Sequence, residues 1–496
     1  MFRKVLVANR GEIAVRVIRG LREFGVQSVA VYSDADRGSL AVSLADEAAY
    51  IGASSSSESY LRVDKIIAAA LEHGAEAIHP GYGFLSENAE FAEACSAAGI
   101  KFIGPSADAI RKMGSKTEAR QVAIRAGAPV APGVESAITS TDEAHEIARR
   151  LGYPVLLKAA AGGGGKGMRR VDREEDLASA WRDASSEALR AFKNGDVYLE
   201  KLVIEPRHIE IQILGDEHGH LIHLGERECS IQRRHQKVIE ECPSPVMLKH
   251  PELREQMGEA ALKIARAVKY SNAGTMEFLV DRERNFYFLE MNTRLQVEHP
   301  VTELVTALDL VEWQLRIASG ERLKLRQQDI QWQGSAIECR VYAEDPENQF
   351  LPFPGTITYL REPSGPGLRL DSGVYNGWNV PLEYDPLLAK LAAWGPTRER
   401  AIERLGRALA EYTVAGIRTN TEFFREILLD PEFQKGRLST AFLDEFFKRR
   451  KARVADEWEE AAAALVAAHV GRATATAAPR KSASRWVIEG RDESLR

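Results

Sequence analysis

The segment at residues 274–292 places the tightest constraint on the fold of this 496-residue chain. Two β-rich runs flank a short charged turn, which predicts an antiparallel hairpin. A turn centred between Glu283 and Arg284 would set Glu277 directly opposite Glu290. Directly opposed side chains point to one face, with Cβ atoms about 4.5–5.5 Å apart. Two carboxylates so close together indicate a bound cation, and Mg²⁺ combines one or two carboxylates with substrate phosphates.

The hairpin offers a third oxygen ligand for such a cation. Asn292 lies two residues beyond Glu290, so it shares the same face if the strand continues. Glu277, Glu290 and Asn292 are therefore the candidate ligands for Mg²⁺ or Mn²⁺. The alternative for this segment alone is an ordinary exposed hairpin with an acidic outer face.

The rest of the chain divides by its periodicity. Residues 1–115 alternate strand and helix patterns, which predicts a parallel sheet with helices on both faces. Residues 116–130 are predicted as a linker helix, and residues 131–203 as a small lid domain around a glycine run. Longer, strictly alternating strands from residue 204 to about 447 predict an antiparallel sheet. The expected fold class is α/β and α+β.

The tail at residues 448–496 differs in composition from what precedes it. A helix-forming segment leads into an Ala/Thr/Ser-rich run and one isolated strand pattern at residues 485–490. It is either an attachment segment for a partner or a solvated extension.

Charge and cysteine content exclude several functional classes. The net charge is −6 and no long basic run occurs, so we expect no nucleic-acid partner. The four cysteines show no C-x-x-C spacing, which argues for a reducing compartment and against a disulfide framework or a zinc site. No apolar run approaches the roughly 18 residues of a membrane span, and the N-terminal apolar stretch is too short for a signal peptide. We expect a soluble, cytoplasmic protein without a membrane partner.

A glycine run and two lysines suit a nucleotide. The sequence GGGGKG at residues 162–167 lies between two strand patterns and lacks the Ser or Thr of a Walker A loop. Consecutive glycines can bring backbone N–H groups around phosphates and can close as a lid; a flexible hairpin tip is the alternative. Lys158 on the preceding strand has apolar neighbours and indicates a charged ligand, although it could also extend to the surface. Lys116 alone is only a helix-start lysine.

Two basic stretches suit an anionic substrate. Residues 229–241 gather four basic side chains outside any helix interior, as charge-assisted anion binding requires; a solvated loop is the alternative. Arg294, Gln296 and Glu298 alternate as on one face of an extended segment. An arginine beside a carboxylate keeps it ionised and binds oxyanions, so Glu298 is a candidate general base; a structural ion pair is the alternative. The combined pattern predicts an ATP-dependent ligase that activates a small acid.

Four motifs, in this order and spacing, carry a family resemblance: ANRGEIA at residues 8–14, HPGYGFLSEN at 79–88, SIQRRHQK at 230–237 and EMNTR at 290–294. Over about residues 1–447 the chain resembles biotin carboxylase, the ATP-grasp component of acetyl-CoA and related acyl-CoA carboxylases and of pyruvate carboxylase. The resemblance implies MgATP-dependent carboxylation of biotin by bicarbonate through carboxyphosphate.

The resemblance also implies residue roles. It assigns ATP contacts to Lys116, Lys158, Gly164, Gly165, Glu200, Lys201, Leu202, Val203, His208, Gln232 and His235, with Glu277, Glu290 and Asn292 on the metal. Bicarbonate would be held by Lys237, Arg294, Gln296 and Val297. Glu298 would be its base, and Arg340 would stabilise the biotin enolate.

Partners follow from the same resemblance. Arg16 lies on the face that forms the dimer contact in this family, so a homodimer is expected. The chain contains no Met-Lys-Met biotinylation motif, so we expect the biotinyl acceptor, a biotin carboxyl carrier protein, to be another polypeptide. A carboxyltransferase subunit is the other partner that the resemblance implies. The alternatives are another ATP-grasp ligase that does not use biotin, and a nucleotide-binding regulatory subunit with a decayed site.

Overall fold

A computed structural model of the protein describes residues 1–134, 138, 140–159, 168–192, 194–234 and 236–450, with isolated positions 461, 464, 465 and 468. Met1–Phe446 forms one compact unit, and Phe447–Arg496 forms a second. The predicted strand at residues 485–490 and nearly all of the predicted tail therefore lie outside the described residues.

The N-terminal region contains the predicted parallel sheet, in the strand order β3-β2-β1-β4-β5. Its elements are β1 (Lys4–Val7), α1 (Gly11–Glu23), β2 (Gln27–Ser33), α2 (Leu40–Leu44), β3 (Glu47–Gly52), α3 (Val63–Glu72), β4 (Ala77–His79), α4 (Ala89–Ala97), β5 (Lys101–Phe102) and α5 (Ala107–Gly114). Val5, Leu6 and Val7 are fully buried, as expected for a strand covered on both faces. Strand β3 has a weak local signal for a strand, because its sequence EAAYIG contains few residues of high β propensity.

The predicted lid region contains a three-stranded antiparallel sheet in the order β7-β6-β8. Its elements are α7 (Thr141–Leu151), β6 (Val155–Ala159), β7 (Arg169–Val171), α8 (Leu177–Phe192) and β8 (Val197–Lys201). Before it, α6 (Lys116–Arg125) lies within the residues predicted as the linker helix. The glycine run joins β6 to β7 and lies outside the described residues. The Pro-rich stretch before α7 is not a free linker, because Val130 bridges to Phe288 and Gly133 bridges to Glu200.

The remaining chain is built on an eight-stranded antiparallel sheet, in the order β13-β12-β9-β10-β11-β14-β21-β19. Its strands are β9 (Arg207–Gly215), β10 (Leu221–Arg233), β11 (Gln236–Cys242), β12 (Asn272–Val280), β13 (Phe286–Asn292), β14 (Ser335–Tyr342), β19 (Leu368–Ser372) and β21 (Leu387–Gly395), and short pairs are formed by β15 (Glu344–Asp345), β16 (Leu351–Pro352), β17 (Gly355–Thr356), β18 (Tyr359–Arg361), β20 (Asn379–Val380) and β22 (Thr413–Ala415). The helices are α9 (Pro245–Lys249), α10 (Pro251–Ala267), α11 (His299–Thr306), α12 (Leu310–Ala318), α13 (Arg398–Glu411), α14 (Thr421–Leu429), α15 (Pro431–Gln434) and α16 (Phe442–Arg449). The predicted antiparallel sheet is confirmed.

Strand β9 shows how this sheet creates a polar interior. Its isoleucines at 209, 211 and 213 join the hydrophobic core that α10 covers. The alternate positions, His208, Glu210 and Gln212, point to the other face of the sheet and are also buried. Polar side chains that are buried need hydrogen-bond or ion-pair partners. The partners of these side chains lie on the same face of the sheet, and together they form the site.

In the β12–β13 hairpin the two glutamates pair as predicted, but the residue pairs nearer the turn are shifted by one residue relative to the prediction. Glu277 lies opposite Glu290, but Val280 pairs with Phe286, so the turn is centred on Glu283. An extra residue in β13, a bulge at Leu289, restores the opposition of the two glutamates.

Candidate active site

The Lys237 ammonium group lies at the centre of the site, surrounded by three carboxylates. Its Nζ atom lies 2.6 Å from Glu210 Oε2, 2.7 Å from Glu277 Oε1 and 2.8 Å from Glu298 Oε1. Burial lowers the pKa of Lys237, but the three carboxylates outweigh burial and hold that pKa well above its usual range. Lys237 is therefore protonated at neutral pH, and its single positive charge is shared by the three carboxylates.

The predicted base, Glu298, bridges two cations. Its Oε1 contacts Lys237, and its Oε2 accepts a 2.9 Å hydrogen bond from Arg340 Nη2. Arg340 Nε in turn donates to Glu240 Oε1 at 2.6 Å. Burial opposes ionisation, yet Lys237, Arg340 and Arg227 hold the pKa of Glu298 well below its usual range. Glu298 is therefore ionised at neutral pH and able to accept a proton.

The segment that carries Arg294 is not the extended strand that alternation predicts. Residues 293–298 form an irregular turn, and Glu298 is the N-cap residue of α11. The predicted residues still converge, because Arg294 Nη1 donates to Gln296 Oε1 at 2.8 Å and Arg294 Nη2 donates to Asn292 Oδ1 at 3.0 Å. Glu87 accepts from Arg294 Nε at 3.0 Å and so connects this turn to the N-terminal region.

The opposed glutamates differ in their surroundings. Glu277 accepts hydrogen bonds from Lys237 and, at 2.8 Å, from Asn292 Nδ2, and His208 Nε2 lies 2.9 Å from its Oε2. Glu290 accepts no hydrogen bond from the residues that the structure describes. Burial and the neighbouring Glu277 raise the pKa of Glu290. A half-buried carboxylate without a donor, opposite a second carboxylate, fits a divalent cation with oxygen ligands. Asn292 Oδ1 accepts from Arg294 in this structure, so it would have to exchange that hydrogen bond to join such a cation.

The nucleotide-site lysines lie between the small and the large sheet. Lys158 on β6 forms an ion pair with Glu200 on β8. Lys116 begins α6; burial lowers its pKa, which the nearby Glu290 on the large sheet raises. Lys116 is therefore close enough to both Glu290 on the large sheet and Lys158 and Glu200 on the small sheet to interact with them electrostatically.

Some of the other predicted nucleotide contacts lie in the part of the chain that the structure describes, and the rest lie outside it. Strand β8 ends at Lys201, whose Nζ donates to the carbonyl of Gly152 at 2.7 Å, and the half-buried Leu202 and Val203 follow it. Gln232 Nε2 lies 2.7 Å from His208 Nδ1, and this contact places both side chains near Glu277. Gly164, Gly165 and His235 lie outside the described residues.

The predicted basic cluster in the β10–β11 hairpin does not act as one anion site. Arg233 is committed to Glu344, with contacts of 2.7 and 2.9 Å. Arg234 is exposed in the turn with a φ of 50°. Of the described members, Lys237 alone reaches the buried centre.

Several site residues were missed by the sequence analysis. Glu210 contacts Lys237, and the fully buried Arg227 pairs with Glu210 and donates to Gln212 Oε1 at 2.7 Å. Lys390 Nζ donates to the carbonyl of Val297 at 2.9 Å. Strand β9 carried a usable signal, because its polar residues alternate with core isoleucines on a strand with no exposed face. Lys390 carried none, since it lies far along the chain from Val297.

Arg16 does not present its charge at the surface of the single chain. Its Nη2 lies 3.2 Å from Glu303 Oε1 and 2.7 Å from Asp309 Oδ2, and the residue is buried. Among the helices that the structure describes, none has the length and apolar character of a membrane span. The four cysteines are buried free thiols.

The small and large sheets, with lysines and paired glutamates between them, define an ATP-grasp enzyme. Sequence models agree: "Biotin carboxylase, N-terminal domain" matches residues 1–110, "Carbamoyl-phosphate synthase L chain, ATP binding domain" matches 115–326, and "Biotin carboxylase C-terminal domain" matches 338–445. The chain belongs to the biotin carboxylase family.

Individual relatives are similar along most of the chain. One subunit of the pyruvate carboxylase of Methanothermobacter thermautotrophicus is 53% identical over 446 residues, covering 90% of this chain and 90% of that protein. Biotin carboxylase of Nostoc sp. is 52% identical, covering 90% of this chain and 100% of that protein. The biotin carboxylase domain dimer of Hydrogenobacter thermophilus 2-oxoglutarate carboxylase, solved with MgADP, ADP and bicarbonate, superposes with a TM-score of 0.85 at 48% identity, covering 90% of this chain and 98% of that chain. The predicted family and fold are confirmed, and a ligase outside the family is not favoured.

Proposed function

We propose that the protein carboxylates biotin with bicarbonate at the expense of ATP, the first half-reaction of an acyl-CoA or pyruvate carboxylase. One observation carries the proposal: an ionised, buried Glu298 lies between Lys237 and Arg340, beside the opposed glutamates of β12 and β13. This arrangement combines a base, an anion site and a cation site within one polar interior.

ATP would bind between the two sheets. Lys116 and Lys158 would contact its phosphates, and the segment from Glu200 to Val203 would contact its base. Glu277, Glu290 and Asn292 would hold Mg²⁺ or Mn²⁺, which would neutralise charge on the transferring phosphoryl group. Gly164, Gly165 and His235 keep their expected roles in nucleotide binding as part of this proposal.

Bicarbonate would bind against Lys237, Arg294, Gln296 and the backbone of Val297. An incoming anion would share the Lys237 and Arg340 charges that now act on Glu298. That sharing would raise the basicity of Glu298 when its proton acceptor role is needed. Bicarbonate oxygen would attack the γ-phosphate with loss of ADP, giving carboxyphosphate, which would release CO₂ and phosphate.

Biotin N1 would take up the CO₂ after losing its proton, and Arg340 would stabilise the enolate oxygen formed in the ureido ring. The biotin would arrive on a separate carrier protein, and a carboxyltransferase subunit would use the product. The same proposal includes a homodimer and a cytoplasmic location. It also includes the domain boundaries at residues 115, 130, 203 and 447. We assign the tail at residues 448–496 to contacts with the carrier or carboxyltransferase subunit.

Measurement of ADP release tests the proposal. The full chain with MgATP and bicarbonate should release ADP several times faster when free biotin is added, and the increase should depend on bicarbonate. Turnover on an amine without any effect of biotin would indicate a different ATP-grasp ligase. Absence of any ATP cleavage would indicate a regulatory subunit.

A further inference from the structure

A layer of buried charges behind Arg340 contains more carboxylates than cations. It lies on one face of β11, β14, β21 and β19, which α1 and α11 cover. The carboxylates are Glu12, Glu240, Glu298, Glu303, Glu338 and Asp371, and the cations are Arg16, Arg340, Arg369 and Lys390, with Lys237 on Glu298. At least one carboxylate in this layer therefore lacks a cation of its own.

Glu338 is the carboxylate left over. It is fully buried, and neither of its oxygens has a hydrogen-bond partner within the described part of the chain. It lies directly opposite Glu240 in the β11–β14 ladder, so the two side chains share a face with Cβ atoms about 4.5–5.5 Å apart. Glu240 Oε1 accepts from Arg340 Nε, whereas Glu240 Oε2 also lacks a donor.

The nearby cations are committed to other groups. Lys390 Nζ donates to Val297 O and lies 3.2 Å from Glu12 Oε2 and 3.6 Å from Asp371 Oδ2. Arg340 contacts Glu240 through Nε and Glu298 through Nη2. A second negative charge beside Glu240 would have no neutralising partner, and a buried carboxyl group in that position takes up a proton instead.

We propose that Glu338 is a positioning residue: it keeps its proton at neutral pH and donates it to Glu240 Oε2, which fixes Glu240 as the anion that orients Arg340. One proton would thus satisfy the unpartnered oxygen of Glu240 and remove the repulsion between the opposed side chains. The catalytic part of the inference rests on the role proposed above for Arg340.

The electrostatics of the pair agree with this placement of the proton. Burial raises the pKa of Glu240 to about 7 and that of Glu338 well above its usual range. Lys390 and Arg340 act against the rise at Glu338, while Glu240 and Asp371 add to it. On the helices packed against this face, Arg16 pairs with Glu303, and burial raises the pKa of Glu12 to about 7 although Lys390 opposes that rise. His299 on α11 is neutral, because burial and nearby cations hold its pKa well below its usual range.

Three substitutions distinguish a positioning role of Glu338 from a contribution of Glu338 to folding stability alone. E338Q preserves the shape and supplies an N–H donor without charge, so kcat and the KM for biotin should stay within about twofold of wild type. E338M removes the donor, and the KM for biotin should rise or kcat should fall by about tenfold to a hundredfold, with the KM for ATP unchanged. E241Q is the matched control: it weakens the buried ion pair between Glu241 on β11 and Arg398 on α13, and it should reduce stability without changing the KM for biotin.

Infrared spectroscopy of the resting enzyme at about pH 8 reads the proton directly. A buried carboxylic-acid band should be present in wild type and lost in E338Q. Absence of that band, or loss of activity in a folded E338Q variant, would overturn the proposal. An unchanged KM and kcat in E338M would overturn the positioning role. Because the infrared measurement needs no turnover, it decides the protonation of Glu338 even if the wild-type enzyme does not carboxylate biotin.

Discussion

At the residue scale, the site depends on how buried charges are paired. The Lys237 ammonium group is shared by three carboxylates, and the Arg340 guanidinium group bridges two. Such networks gain little stability from complete pairing, but removal of one partner leaves a buried charge uncompensated. The most informative substitutions therefore remove single members of the network.

Lys237→Met should destabilise the fold as well as remove activity. The substitution leaves Glu210, Glu277 and Glu298 without their shared cation, and we expect the free energy of unfolding to fall by about 3–5 kcal/mol. Lys263→Met is the control, because its ion pair with Glu259 is exposed and its loss should leave the free energy of unfolding nearly unchanged. Denaturant unfolding of both variants measures the difference; equal losses would contradict the account.

Glu290→Gln, in contrast, should strongly reduce activity without reducing the stability of the fold. Glu290 has no donor among the described residues and is repelled by Glu277, so loss of its charge should leave the free energy of unfolding unchanged or slightly higher. ADP release should fall by about 100-fold or more, because the cation loses a ligand. Near-normal turnover by this variant would show that the metal-ligand assignment is wrong.

At the element scale, two helix glycines test how closely the helices pack. A Cβ atom at Gly258 in α10 would lie 2.4 Å from His223 Nε2 on β10, whereas at Gly406 in α13 its nearest neighbour would be Leu428 Cδ1 at 4.0 Å. Alanine favours helix by up to about 1 kcal/mol over glycine, but overpacking costs about 1–3 kcal/mol. Gly258→Ala should therefore destabilise the protein.

Gly406→Ala should stabilise it, because the helix propensity acts there without a clash. Thermal unfolding of the two variants beside wild type measures both effects. Stabilisation by both substitutions would mean that α10 does not pack against β10 as closely as described.

The β12–β13 hairpin shows which features of an element can be predicted from sequence and which cannot. The charged turn and the β-rich runs predicted that Glu277 opposes Glu290, and this is confirmed. The bulge at Leu289 was not predictable, because its position depends on how the phenylalanines at 278 and 288 pack in the core rather than on local propensity. Residues 293–298 were wrongly predicted as extended, since alternation of polar side chains occurs in turns as well as in strands.

At the scale of the whole molecule, periodicity predicted the order of the parallel and antiparallel regions. The site residues that lay near recognisable motifs were also predicted. Glu210 and Arg227, on the consecutive strands β9 and β10, were missed although the alternation along β9 carried a signal. Glu240 and Lys390 were missed because their contacts join segments that are far apart in sequence. Contacts of that kind become visible only when the sheet order is known.

The acid stability of the whole molecule should depend on buried neutral histidines. His79 is fully buried; its Nδ1 accepts from the Gly81 N–H, so Nε2 carries the proton and faces Gln314 Oε1 at 3.2 Å. Burial lowers the pKa of His79 to about 4, and burial has the same effect on His223. Because the unfolded chain binds these protons at about pH 6.5 and the folded chain does not, stability should fall as the pH drops from about 6.5 to 4.

The slope of this loss is about 1.4 kcal/mol per pH unit for each proton taken up. His79→Gln should reduce the slope by one proton, whatever its effect on stability at neutral pH. Denaturant unfolding across that pH range measures the slope, and an unchanged slope in the variant would contradict the assignment of His79 as neutral.

The central claim is that one polar interior activates bicarbonate and delivers its carboxyl group to biotin. The most direct measurement follows isotope-labelled bicarbonate into an acid-labile biotin adduct formed by the full chain. The account predicts label on biotin that requires both ATP and Mg²⁺ and that is lost when Glu298 is replaced by Gln. ATP cleavage with no label on biotin, or labelling that persists in Glu298→Gln, would contradict it.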